Sequence, residues 1–111
     1  VLKQSSSYLW PVTIEIPTDG GRHDKQTFDA EFKRLPQSRI REIGKLIEDG
    51  EILDGAIAAE VLVGWAGITD ADAKDVPFSQ GALEQLLDVP LLATAIVMAY
   101  FSSLQGAKRK N

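Results

Sequence analysis

The sequence contains no cysteine, one histidine and one methionine among its 111 residues. Without cysteine the fold has no disulfide, no thiolate nucleophile and no cysteine-ligated zinc or iron–sulfur site, and nothing points to an oxidising compartment. The single histidine, His23, falls between Arg22 and Asp24 in a turn-forming stretch. No nucleophile or orienting partner stands near it in the chain to make it a general base, so it reads as a solvated loop residue. Positive charge is also scarce: 12 Lys and Arg against 16 Asp and Glu leave a net charge of −4. That is the wrong sign for affinity gained by displacing counterions around phosphates, so no nucleic-acid partner is expected. The longest apolar stretch, Val89–Phe101, has 13 residues and carries Pro90 near its start. A bilayer span needs about 20, so no membrane helix is expected.

Chemical motifs are equally sparse. Gly20-Gly21 is not followed by a lysine and hydroxyl at a helix start, so no phosphate loop is supported. Asp70-Ala71-Asp72-Ala73-Lys74-Asp75 opens like a calcium loop but lacks the turn glycine and the terminal bidentate Glu, and Lys74 places a cation inside it. It reads as a solvated acidic loop. The expectation is a non-enzymatic protein with no cofactor and no metal. Apolar residues make up 44% and charged residues 25%, which is ordinary globular usage and enough for one domain with one modest core.

Periodicity supplies the elements. Val12-Thr13-Ile14-Glu15-Ile16 alternates apolar and polar side chains, with β-branched residues at four of its five positions, and predicts a strand. Pro11 and Pro17 bracket it and cannot donate to a ladder, which makes it short or places it at a sheet edge. Thr18-Asp19-Gly20-Gly21 is turn chemistry. Thr27–Lys33 alternates again, with Phe28, Ala30 and Phe32 on one face, so the pair predicts a hairpin with a loose polar loop of about ten residues. Its apolar face, Phe28 and Phe32 included, must pack on helices or pair with strands of another subunit.

From Pro36 the period lengthens. Ile40, Ile43, Leu46 and Ile47 share one face of an amphipathic helix that Gly50 can stop. Glu51–Trp65 predicts a second helix, apolar on most sides. Gly67–Pro77 is a polar acidic loop, and Ser79 caps a short helix carrying Leu83, Leu86 and Leu87. Asp88 and Pro90 suit the start of a final helix running to about Leu104. The fold class is therefore α+β: an N-terminal β-hairpin followed by a small bundle of about four α-helices. Residues 1–8 read as a flexible arm, and the start at Val1 instead of methionine as a trimmed or processed end. Residues 9–106 form a single domain, with the hairpin at 9–35 and the helical body at 36–106, and residues 107–111 form a basic tail.

Charge and hydrophobicity are unevenly distributed. Lys33, Arg34, Arg39, Arg41 and Lys45 stand against one acid, Glu42, whereas Glu51–Asp88 carries eight acids and one lysine. These are either solvated faces or a basic face of one subunit meeting the acidic face of another, in which case those five residues are the candidate subunit contacts. The final helix is apolar around its cylinder, which makes it either the central core helix or in part a partner interface. The candidate partner-binding residues are Trp65, Leu91, Leu92, Ile96, Met98, Tyr100 and Phe101.

Several segments together resemble one family. They are Trp10-Pro11-Val12 and Phe32-Lys33-Arg34-Leu35 in the hairpin, Val63-Gly64-Trp65-Ala66-Gly67-Ile68 before the acidic loop, and Val76-Pro77-Phe78-Ser79. Leu86-Leu87 followed by Pro90, Ala95–Tyr100 and a Lys110-Asn111 end complete the set. In their order and spacing, from about Trp10 to Asn111, the chain is similar to the tail assembly chaperones of long-tailed bacteriophages.

The resemblance implies a non-enzymatic protein of the bacterial host's cytoplasm that binds the tape measure protein and keeps that long helical chain soluble. It also implies that the protein helps the tail tube subunits, the major tail protein, polymerise, and that it is absent from the mature virion. A homo-oligomer fits this role. The alternative is a structural virion component such as a tail completion or connector protein. Many members of the family are made in two lengths by ribosomal frameshifting, and Lys108-Arg109-Lys110-Asn111 can be encoded by an adenine-rich run suited to it.

Overall fold

The structure, a computed structural model, describes residues 3–105. The hairpin is longer and tighter than its alternation predicts. Strand β1 (Ser7–Thr18) pairs antiparallel with β2 (Arg22–Lys33) in unbroken register, from Ser7 opposite Lys33 to Thr18 opposite Arg22. Only Asp19-Gly20-Gly21 joins them, and both glycines take positive φ, +80° and +75°, which closes the reversal without a loose loop. The polar residues expected in that loop instead continue the ladder, because backbone pairing is indifferent to side chains that remain in water. The expected arm also shortens. Ser7 and Tyr8 belong to β1, and the Tyr8 ring lies under the Arg34 guanidinium at 4.7 Å while its hydroxyl pairs with that of Ser103 at 2.7 Å.

Helix α1 (Gln37–Glu48) follows Pro36 and ends at Gly50 in a defined stop. Gly50, at φ +68°, donates to the Ile47 carbonyl, and Glu51 donates to that of Leu46, which satisfies two carbonyls the helix leaves open. The next expectation is corrected. Glu51–Trp65 is not one helix: α2 covers Asp54–Val61 and gives way to strand β3 (Leu62–Ala66), which pairs antiparallel with β2 to make a three-stranded sheet in the order β1-β2-β3. The free edge of β2 offers backbone partners that helix periodicity cannot reveal, and Leu62-Val63-Gly64-Trp65 suits a strand better than a helix. Pro11 and Pro17 do not bracket β1 but lie within it, so the strand is not short; it is an edge strand, where a residue without an N–H is tolerated.

Helix α3 (Gln80–Leu87) is capped as expected, with Ser79 Oγ accepting from the Ala82 N–H at 3.1 Å. Asp88 caps the end of α3 and does not start the last helix; α4 (Leu92–Ser103) begins after Leu91, which lies in the left-handed region at φ +72°. The architecture is thus α+β, with the hairpin first and four helices among the described residues. Helix α4 lies across β1 and against α2, so one sheet face is covered and the other is open to solvent. Val12, Phe28, Ala30 and Phe32 meet Ile57, Val61, Ile96, Val97 and Tyr100 in the core. No single helix among the described residues is long and apolar enough to cross a membrane. The basic tail, and with it the sequence suited to frameshifting, lies outside the described residues.

Candidate interaction surfaces

The structure separates the candidate residues of α4 into two sets. Leu92, Ile96 and Tyr100 are buried at 4%, 0% and 1% exposure, so they are core residues; Ile96 and Tyr100 offer no surface to a partner, and Leu92 shows only an edge, in a cleft beside α3. Their spacing of four residues places them on the side of α4 that faces the sheet and α2. Leu91 and Met98 point the other way, at 61% and 67% exposure. Phe101 is half-buried and packs edge-on against Tyr100 at 5.8 Å. Trp65 is half-buried on β3, where its indole N–H donates to the Val76 carbonyl at 2.7 Å and its ring meets Phe78 at 4.9 Å. Trp65 therefore fastens the acidic loop to the sheet.

That loop is organised by its own backbone. Asp70 Oδ1 accepts from the N–H groups of Asp72 and Lys74, at 2.8 and 3.1 Å, and the Asp70 N–H donates to the Lys74 carbonyl at 2.9 Å. The carboxylate closes a turn, as short aspartate side chains do. Among the described residues no three His, Asp or Glu side chains converge on a common metal position.

The basic residues divide in the same way. Arg39 is held inside its own subunit: its guanidinium forks onto Glu60 of α2 at 2.7 and 2.8 Å and reaches Glu42 at 2.9 Å. This pairing raises the Arg39 pKa further above its already high value and pulls the Glu60 carboxyl below its ordinary range, chiefly through the hydrogen bond from Arg39. Arg34 Nε donates to the Ser5 carbonyl at 2.8 Å. Lys33, Arg41 and Lys45 are exposed, with Lys45 3.2 Å from Asp49 on its own helix.

Helix α1 is lightly attached. Ile43 is its only buried residue, and the Arg39–Glu60 fork is its charged link to α2. The sign of the pH effect follows from Glu60. A carboxyl with a depressed folded pKa adds stability above its unfolded pKa, and that contribution is lost as the pH falls through the folded value. The stability difference between wild type and Glu60→Gln is therefore expected to be full near neutrality and to shrink toward zero below about pH 4. Urea unfolding of both proteins across that range measures it, and a constant difference would contradict the link.

One feature has no counterpart among the sequence expectations. A cleft of about 270 Å³ opens between the outer half of the hairpin, the start of the loop after β3, and the α3–α4 junction. Ile14, Ile16 and Phe28 line it from the sheet, Ile68 from the loop, and Leu86, Val89 and Leu92 from the helices. The Ile14–Ile16 alternation was a legible signal for the first wall. Nothing in the sequence shows that Val89 stands opposite. Asp70 and Asp88 adjoin the lining residues Thr69 and Val89 along the chain, so acids stand beside an apolar cleft. No family model, curated protein or solved structure matches the chain.

Proposed function

We propose that this protein is a tail assembly chaperone of a long-tailed bacteriophage, which binds apolar helical segments of the tape measure protein in the cleft beside α3 and α4. The observation that carries the reading is the cleft itself: seven apolar side chains from three parts of the fold face an open space, and nothing from the described residues fills it. A helix laying one apolar face into such a groove uses anchors at i, i+3 or i+4, and i+7, and weak sites repeated along a very long client add up by avidity. The acids beside the cleft favour clients with basic flanks. The protein acts in the cytoplasm of the bacterial host, assists polymerisation of the major tail protein as self-associating copies along the client, and leaves the finished particle.

Co-expression with the tape measure protein tests this. Val89→Asp and Ile16→Asp are expected to lower the yield of soluble tape measure protein severalfold while the circular dichroism of each variant stays close to wild type. Unchanged capture by both folded variants would overturn the cleft as the client site. Mass spectrometry of purified virions tests the role: stoichiometric retention would make the protein a completion or connector component instead.

A further inference from the structure

The cleft stays open although its walls carry apolar side chains that face one another. Apolar walls separated by water gain by closing, so something must hold them apart. The sheet wall, with Ile14, Ile16 and Phe28, is fixed by the β1–β2 ladder. The wall that carries Ile68 belongs to the loop at 67–77, which folds back on itself. There the Val76 N–H donates to the Ile68 carbonyl at 2.9 Å, Thr69 and Asp75 stand opposite one another as an isolated antiparallel bridge, and the Asp70 carboxylate closes the turn.

Among the described residues, one hydrogen bond joins this loop to the sheet: the Trp65 indole N–H donates to the Val76 carbonyl at 2.7 Å. Val76 is therefore held at both backbone groups, its carbonyl by Trp65 and its N–H by Ile68. The same indole meets Phe78 edge-on at 4.9 Å, and Phe78 directly precedes the Ser79 cap of α3, the helix whose Leu86 lines the cleft. Trp65 itself does not line the cleft. An indole suits this place because it combines a large apolar ring with a single donor, and that donor finds a partner when the ring is packed.

We propose that Trp65 is a positioning residue for the cleft. It touches no client; by clasping Val76 and Phe78 it holds the Ile68 wall and the approach to α3 in place, so the cleft is open before a client arrives. Without the clasp, Ile68 is free to close on Ile14, Ile16 and Phe28. A site shaped in advance loses no binding free energy to ordering its walls. The importance of this for capture rests on the cleft being the client site, whereas the clasp and its effect on the cleft do not.

Trp65→Phe tests the clasp, and site-specific replacement of Trp65 by benzothienylalanine is the second variant, because it keeps the size of the ring and lacks only the N–H. In both, hydrogen exchange at the Val76 and Asp70 amides is expected to quicken about tenfold, while amides of the β1–β2 ladder and α4 keep their wild-type rates. Nile red, a neutral fluorophore that brightens on leaving water, is expected to bind wild type, to be lost in Val89→Asp, and to bind both Trp65 variants with a Kd raised severalfold. Capture of co-expressed tape measure protein is expected to fall severalfold in Trp65→Phe, and Val89→Asp combined with Trp65→Phe is expected to capture as much as Val89→Asp alone. Additive losses would make Trp65 a direct client contact and overturn the proposal. Exchange that quickens alike throughout the chain would reduce Trp65 to a general stabiliser and overturn it as well, as would Nile red binding that is absent in wild type or unchanged in the Trp65 variants. Loop exchange and Nile red binding that respond to Trp65, with capture indifferent to both Val89 and Trp65, would uphold the positioning role and overturn the cleft as the client site.

Discussion

Tyr100→Asp is expected to leave the chain unfolded, whereas Met98→Asp, two residues earlier on the same helix, is expected to keep the thermal midpoint of the dilute protein within a few degrees of wild type. The Tyr100 ring is 1% exposed and stands edge-on to Phe32 at 5.1 Å, and its hydroxyl donates to the Lys33 carbonyl at 3.1 Å. Burial pushes the phenol's pKa up, so it stays a neutral donor at any ordinary pH. Aspartate would withdraw that donor, empty the space of the ring and bury a carboxylate among apolar groups. Losing a buried aromatic side chain costs about 3–5 kcal/mol, and burying an unpaired charge costs several more, against a net stability of about 5–15 kcal/mol for a typical domain. Met98 is 67% exposed, so an aspartate there stays in water. Thermal melts followed by circular dichroism check both variants, and equal losses would contradict this orientation of α4.

Phe32→Ala is expected to lower the unfolding free energy by about 3–5 kcal/mol. Phe32 is fully buried where the sheet meets α4, with Tyr8 edge-on at 6.0 Å on one side and Tyr100 on the other, and it pairs with Leu62 across the irregular step in the β2–β3 ladder. Truncation would leave a closed cavity that the surrounding elements cannot fill. Phe28, four residues earlier on the same face, gives the comparison. It borders the open cleft, so Phe28→Ala enlarges a space solvent already reaches, and the expected loss is smaller. Urea unfolding with an unchanged denaturant slope measures both. A larger loss for Phe28 than for Phe32 would move the centre of the core toward the cleft.

The two aromatic positions were legible as inward-facing because a strand's side chains alternate strictly, and both are buried. The Ser79 cap and the Gly50 stop were legible because each depends on neighbours within a few residues. The final helix was ambiguous for the opposite reason. Apolar residues surround α4, so its sequence does not reveal which side the sheet covers, and three of the seven candidate partner-binding residues belong to the core. The cleft was hidden because its walls come from residues more than fifty positions apart, Ile16 and Val89 among them.

By itself, the amino-acid sequence determined what depends on local chemistry. It determined the hairpin and its inward face, three of the four helices with the second cut short, the helix caps, the acidic loop, and the separation of basic from acidic residues along the chain. The tertiary structure alone decided three things. It turned Leu62–Ala66 from the end of a helix into a third strand, because β2 had an edge to satisfy. It tied Arg39 to Glu60, which engages one of the five basic candidates within its own subunit. And it turned Leu91 and Met98 to solvent while burying Ile96 and Tyr100 on the opposite side of α4. Local propensity is settled by near neighbours and is written in the sequence order, whereas pairing edges, ion pairs and exposed faces depend on which distant segments meet, and only the folded chain specifies that.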